Sequence, residues 1–259
     1  MQRTTQNLFA IGLGGLGLIT LIYGDFALVW QPVPSWVPGR SAIAYGSGIV
    51  LLLCGMGMLF GACAVWAARL SFVYCFLWLM LKVPALFATP LVEDVWLGVG
   101  ELAVIFAGAW ALFARLARPQ EIPVFKAVRH TDLMVRLLFG AALIPIGLAH
   151  IVYLHATASF IPHWFPFPVF FAVLTGLAQL ACGACLLLGV FQSWATILQA
   201  AMFSAFTIIV WVPVIVAAPS ARMSWTAFFV SWTITAAAWI IAADTAARSG
   251  QTSKNGYYA

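Results

Sequence analysis

Five ionisable side chains lie within or at the edge of long apolar runs: Asp25, Lys82, Glu101, His150 and His155. A titratable group inside a membrane span is expensive, so its default reading is functional, with a partner to be named. A histidine beside a carboxylate titrates near neutral pH and suits a proton relay or a site for a polar headgroup. The competing reading is an internal ion pair, Lys82 with Glu101 or Asp25, that fixes helix packing without chemistry. Lys82 can also snorkel to the interface on its long stem. Counting about 1.5 Å of helical rise per residue puts Asp25 in the upper part of the first span and Lys82 in the outer third of the third. Glu101 falls near the outer end of the fourth, His150 in the outer half of the fifth, and His155 nearer its mouth. The similar depths predict that these groups converge on one outward-facing site, for ligand binding or proton relay. Glu93 and Asp94 read as solvated loop residues.

Other chemistries find less support. Cys182-Gly183-Ala184-Cys185 has the spacing of a redox pair. It falls inside a span, where thiolate formation is disfavoured, and a small-residue packing role is expected. Gly57 to Gly61 is a GxxxG that lets helices approach. His150 and His155 are five residues apart and do not share a helix face, and no other predicted span contains a histidine. Neither haem nor a metal is expected. No nucleotide loop, catalytic triad or metal motif is found, so the catalytic residues are unknown and enzymatic activity stays open.

The elements that must position these groups follow from composition. Hydrophobic residues make up 64% of the chain and charged residues 7%, against roughly 25% charged in soluble domains. Lipid as solvent leaves helices or a closed barrel, and the unbroken runs favour helices. A span needs about 20 apolar residues. Eight segments qualify: 8–30, 43–65, 68–88, 95–115, 134–155, 168–190, 193–217 and 225–245. The expected fold is an all-α, polytopic transmembrane bundle. The first run lacks a small-x-small cleavage site and reads as a retained helix. A net charge of +5 fits cytoplasmic loops better than nucleic acid, and no nucleic-acid partner is expected. Among loops, the outward side would carry only Arg40, Lys82 and Arg222, which predicts cytoplasmic N- and C-termini.

The chain also repeats itself. Pro34-Ser35-Trp36-Val37-Pro38 recurs 128 residues later as Pro162-His163-Trp164-Phe165-Pro166. Gly48 matches Gly176, Cys54 matches Cys182, Gly55 matches Gly183, and Trp66 matches Trp194 at the same offset. After one inserted residue the offset is 129, pairing Pro84 with Pro213, Pro90 with Pro219, Trp96 with Trp225 and Trp110 with Trp239. Eight of the twelve tryptophans pair in this way, as a duplication would produce. Four spans per copy make the repeats parallel, related by an axis along the membrane normal. The expected organisation is a first repeat at 1–118, a cytoplasmic linker at 119–133, a second repeat at 134–247 and a cytoplasmic tail at 248–259. The loops holding Pro34, Trp36, Pro38 and Pro162, Trp164, Pro166 face outward, as rigid interfacial caps or as a lid over a cavity. Lys82 and Glu101 correspond to Trp211 and Val230, so any site is asymmetric.

The glycine-rich first span (Gly12, Gly14, Gly15, Gly17), Tyr23-Gly24-Asp25, Trp30-Gln31-Pro32-Val33-Pro34, and Gly147-Leu148-Ala149-His150 in the second copy resemble the DoxX-like membrane proteins, four-helix units sometimes found duplicated. The resemblance implies a bacterial inner-membrane protein and a membrane subunit linked to quinone or another lipophilic redox partner. Quinone is the cofactor it points to. Two further readings stand beside it. One is a non-enzymatic binding or transport protein for a lipid or small molecule. The other is a scaffold subunit docked through its tryptophan faces against partner subunits, with membrane lipids around it.

Overall fold

The structure, a computed structural model, describes residues 2–28, 30–117 and 131–255. The described residues form α1 (Gln2–Tyr23), α2 (Arg40–Leu59), α3 (Ala64–Ala88), α4 (Glu93–Leu116), α5 (Thr131–Val152), a short α6 (Leu154–Phe160), α7 (Pro168–Leu188), α8 (Gln192–Phe206), α9 (Val212–Ala217) and α10 (Arg222–Asn255). A π-helical turn, Thr207–Trp211, joins α8 to α9. Eight of these helical segments, with α8 to α9 counted as one, are long and apolar enough to cross a membrane. Most of the expected linker lies outside the described residues, and α5 begins within its last part at Thr131. The expected tail from 248 continues α10 as helix to Asn255. Arg248 pairs there with Asp132, and Ser249 is 3.0 Å from Ser193, so the end of α10 is tied to α5 and α8.

The first helix is shorter than its apolar run. It stops at Tyr23, because Gly24 adopts φ +61°, a conformation most suited to glycine. The chain then folds back as a loop that buries Phe26, Trp30 and Gln31. Asp25 thus lies beyond the helix, not within a span as its sequence position suggested.

Close helix pairs carry the packing in each half. A methyl group on Gly17 would sit 2.8 Å from the Gly48 carbonyl oxygen. One on Gly147 would sit 2.8 Å from that of Gly176. Small residues let helix backbones approach where lipid supplies no hydrophobic drive. Residues 2–19 of α1 and 132–149 of α5 pass through buried, half-buried and exposed positions in the same order. That match runs at an offset of 130, pairing Phe9 with Phe139 and Tyr23 with Tyr153. Side-chain bonds recur as well. The Trp96 indole donates to the Pro90 carbonyl at 2.9 Å, and the Trp225 indole donates to that of Pro219 at 2.7 Å.

The two halves meet along α4 and α10. A methyl on Gly108 would overlap Ala237, its match at offset 129. Arg115 pairs with Asp244 at 3.3 Å, again its own match. Contact between counterparts is what a two-fold relation produces. The flanking contacts are exchanged: Gly100 of α4 fits against Pro145 of α5, whereas Phe229 of α10 fills the space over Gly15 of α1. Large and small have traded places between these two contacts.

The one-residue insertion read from the sequence falls in the segment from α8 to α9, where the helix makes its π turn. An extra residue inside a helix is commonly absorbed as such a bulge, often at a functional site.

Candidate functional site: a cavity in the second half

A cavity of about 580 Å³ opens among α5, α6, α7, α8, the π turn and α10, with the N-terminal end of α4 closing one side. Its wall is mostly aromatic and aliphatic, including Phe160, Phe165, Phe206 and Trp211. The polar groups on it are few: Glu101, His150 and Thr175, with Asp94, Tyr153, Thr157, Thr226 and Ser231 around them. Such a lining, apolar with a small number of placed polar groups, is the usual form of a small-molecule site.

His150 projects from the C-terminal end of α5 toward α7, where its Nδ1 lies 3.0 Å from Thr175 Oγ1. The Thr175 hydroxyl donates its own proton to the Phe171 carbonyl at 2.8 Å. It therefore accepts from His150 Nδ1–H, an assignment made from the hydrogen-bond network. A neutral ring then carries an unprotonated Nε2, which is an acceptor. The ring also lies beside Phe206, with centroids 5.4 Å apart. Glu101 reaches the cavity from α4. Lys82 interacts electrostatically with Glu101 and Asp94 and donates to the Gly98 carbonyl at 2.9 Å. The lysine thus stands beside the cavity-lining acids while contributing nothing to the lining itself.

Of the five residues singled out, Glu101 and His150 share the cavity wall, and Lys82 is coupled to it through Glu101. Asp25 goes elsewhere. It joins Arg40 and Arg222 in an ion cluster, with Arg222 at 3.2 Å, and accepts the Phe26 amide at 2.8 Å. Burial raises its pKa, but the Phe26 amide, the Arg222 bond and the two guanidinium charges outweigh that and hold it below the ordinary 3.8. His155 is exposed on α6. Of the cap loops, Trp36 and Trp164 are exposed, while Phe165, between Trp164 and Pro166, lines the cavity. Cys182 and Cys185 are free thiols. No cluster of three metal-ligating side chains is found among the described residues.

Sequence reasoning did not single out Thr175, and it named Phe165 only as part of the proline–tryptophan loop. Thr175 reads as one polar residue in an apolar helix, and its role appears only once α5 and α7 are packed.

Residues 131–213 match the DoxX family model. This segment is DoxX-like. The DoxX match runs from the start of α5 into α9 and thus covers His150, Thr175, Phe206 and Trp211. Most of the cavity wall lies in the DoxX segment; α4 and α10 complete it from outside. No curated protein and no solved structure matched the chain.

Proposed function

We propose that this DoxX-like protein binds a lipophilic small molecule in the second-half cavity, with the polar end of that molecule at His150, Thr175 and Glu101. The observation that carries this reading is the cavity itself, about 580 Å³, apolar along most of its wall with a few polar groups, among them the His150–Thr175 pair. The test is extraction of the full chain from native membranes in mild detergent, followed by mass spectrometry of what co-purifies. Ala227 lines the cavity on α10, and Ala227→Trp should fill it. A lipophilic species enriched with the wild type and depleted from the variant is expected. Identical lipid content in both overturns the reading.

A narrower reading takes the molecule to be a quinone or other lipophilic redox partner, with the protein a quinone-linked oxidoreductase subunit. The DoxX likeness supports it, as does a histidine able to exchange a proton at the polar cluster. It expects quinone-stimulated turnover with a suitable donor, and a total lack of quinone binding would exclude it.

We also read the chain as a duplicated four-helix unit in a bacterial inner membrane, with both termini cytoplasmic. The repeated tryptophan–proline bonds and the counterpart contacts on α4 and α10 support duplication. The three basic residues of the outward side support the orientation. Two of them, Arg40 and Arg222, are engaged by Asp25, and Lys82 interacts with Glu101.

A further inference from the structure

The first half indicates what the second half's cavity takes. At offset 130, Phe26, Trp30 and Gln31 correspond to Ala156, Phe160 and Ile161, and those three line the cavity. In the first half the same segment folds inward. Trp30 is 1% exposed and packs on Tyr74 with centroids 6.3 Å apart; Phe26 packs edge-on against Trp78 at 5.7 Å. The Gln31 amide donates to Ser47 Oγ at 3.0 Å and also to the Tyr74 hydroxyl. At offset 128, the partners Ser47, Tyr74 and Trp78 correspond to Thr175, Met202 and Phe206, again all on the cavity wall. The space that is a cavity in one half is therefore filled in the other by an indole and an N–H donor aimed at a hydroxyl.

Resting on the binding reading above, we propose that the cavity takes a planar aromatic headgroup with a hydrogen-bond-donating edge, seated as Trp30 and Gln31 are seated in the first half. The ring lies against Phe206 and Met202. The donor edge, a phenolic O–H or an amide N–H, meets the polar pair at His150 and Thr175. Their arrangement favours a donor, because Thr175 has spent its proton on Phe171 and the His150 Nε2 is left as an acceptor. Phe26 is replaced by Ala156 and the connecting segment is two residues shorter before Pro162 than before Pro34. The second half thus cannot fill its own cavity, and the missing atoms are those of a ligand.

Three probes test this on the full chain in detergent, by calorimetric titration of the wild type and of Ala227→Trp. They are 2-naphthol, its donor-less relative 2-methoxynaphthalene, and the aliphatic 1-decanol. We expect 2-naphthol to bind the wild type about tenfold tighter than 2-methoxynaphthalene, the worth of about one hydrogen bond, with 1-decanol the weakest. His150→Phe should keep ring binding and abolish the preference for the donor. Equal binding of the two naphthalenes overturns the proposal, and so does stronger binding of 1-decanol. If any probe still binds in a way that Ala227→Trp abolishes, the cavity-binding reading survives that failure. If no probe distinguishes the wild type from Ala227→Trp, the cavity-binding reading fails with it.

Discussion

The two halves share their helix order and much of their packing but differ in what occupies the interior. The first is closed by its own chain: after Tyr23 the backbone turns back and seats Phe26, Trp30 and Gln31 between α2 and α3. The second continues from Val152 almost directly into α6, a helix with no buried residue, and keeps a cavity. On the duplication proposed above, a repeated unit keeps its framework in both copies and leaves the interior of one of them open. Helix pairing sets the framework, through glycines that occur in both copies. The interior is set by a few residues in one connection, which can change without disturbing the pairing.

That contrast can be broken most directly at Trp30. Trp30→Ala should cost about 3–5 kcal/mol, as removal of a buried aromatic does, read from thermal or denaturant unfolding in detergent. Its counterpart Phe160 is half exposed, at 52%, and Phe160→Ala should cost under about 1 kcal/mol. Equal losses at the two positions would mean that the interiors do not differ as described. A smaller effect tests the junction where the halves meet. Gly108→Ala would overlap Ala237 and should cost about 1–3 kcal/mol as overpacking. Adding Ala237→Gly should restore most of it, since the two sites are counterparts facing each other; no recovery would count against that relation.

The smallest effect is expected at Asp25, whose ion cluster holds the folded-back segment of the first half. Its folded pKa lies below its ordinary value, so the charge stabilises the fold above the unfolded value, and this is lost as pH falls through the folded one. At pH 7, Asp25→Asn should be less stable than the wild type by about 1–2 kcal/mol. The gap should narrow as pH drops below 4 and close below the folded pKa. A gap that persists in strong acid would show that the carboxylate charge is not the source.

The number of spanning segments and their helical type were legible because apolar run length decides them. The spacing of tryptophan and proline carries the repeat proposed above, and the change of offset it marks falls in the segment that holds the π turn. Three features were hidden. The end of α1 falls at Gly24, where one charge, Asp25, interrupts residues that are otherwise apolar through Trp30, so hydropathy averaged over the run does not register a break made by one backbone angle. The match between α1 and α5 rests on few identities, Phe9 with Phe139, Tyr23 with Tyr153 and otherwise leucine and glycine, too common in spans to mark an offset. The grouping of Glu101 with His150, and the separation of Asp25 from both, depends on which way each helix is rotated. Depth along a helix carries no information about rotation, so equal depth predicted a convergence that holds for only part of the set.

The Arg115–Asp244 pair has a consequence for assembly. Each residue is the other's counterpart, and both are mostly buried, at 14% side-chain exposure. Two copies of the first half brought together in the same way would set Arg115 against Arg115, and two copies of the second would set Asp244 against Asp244. Like charges repel across such a contact and opposite charges attract. The pair thus acts as a mating code: it lets each half recognise the other and refuse itself.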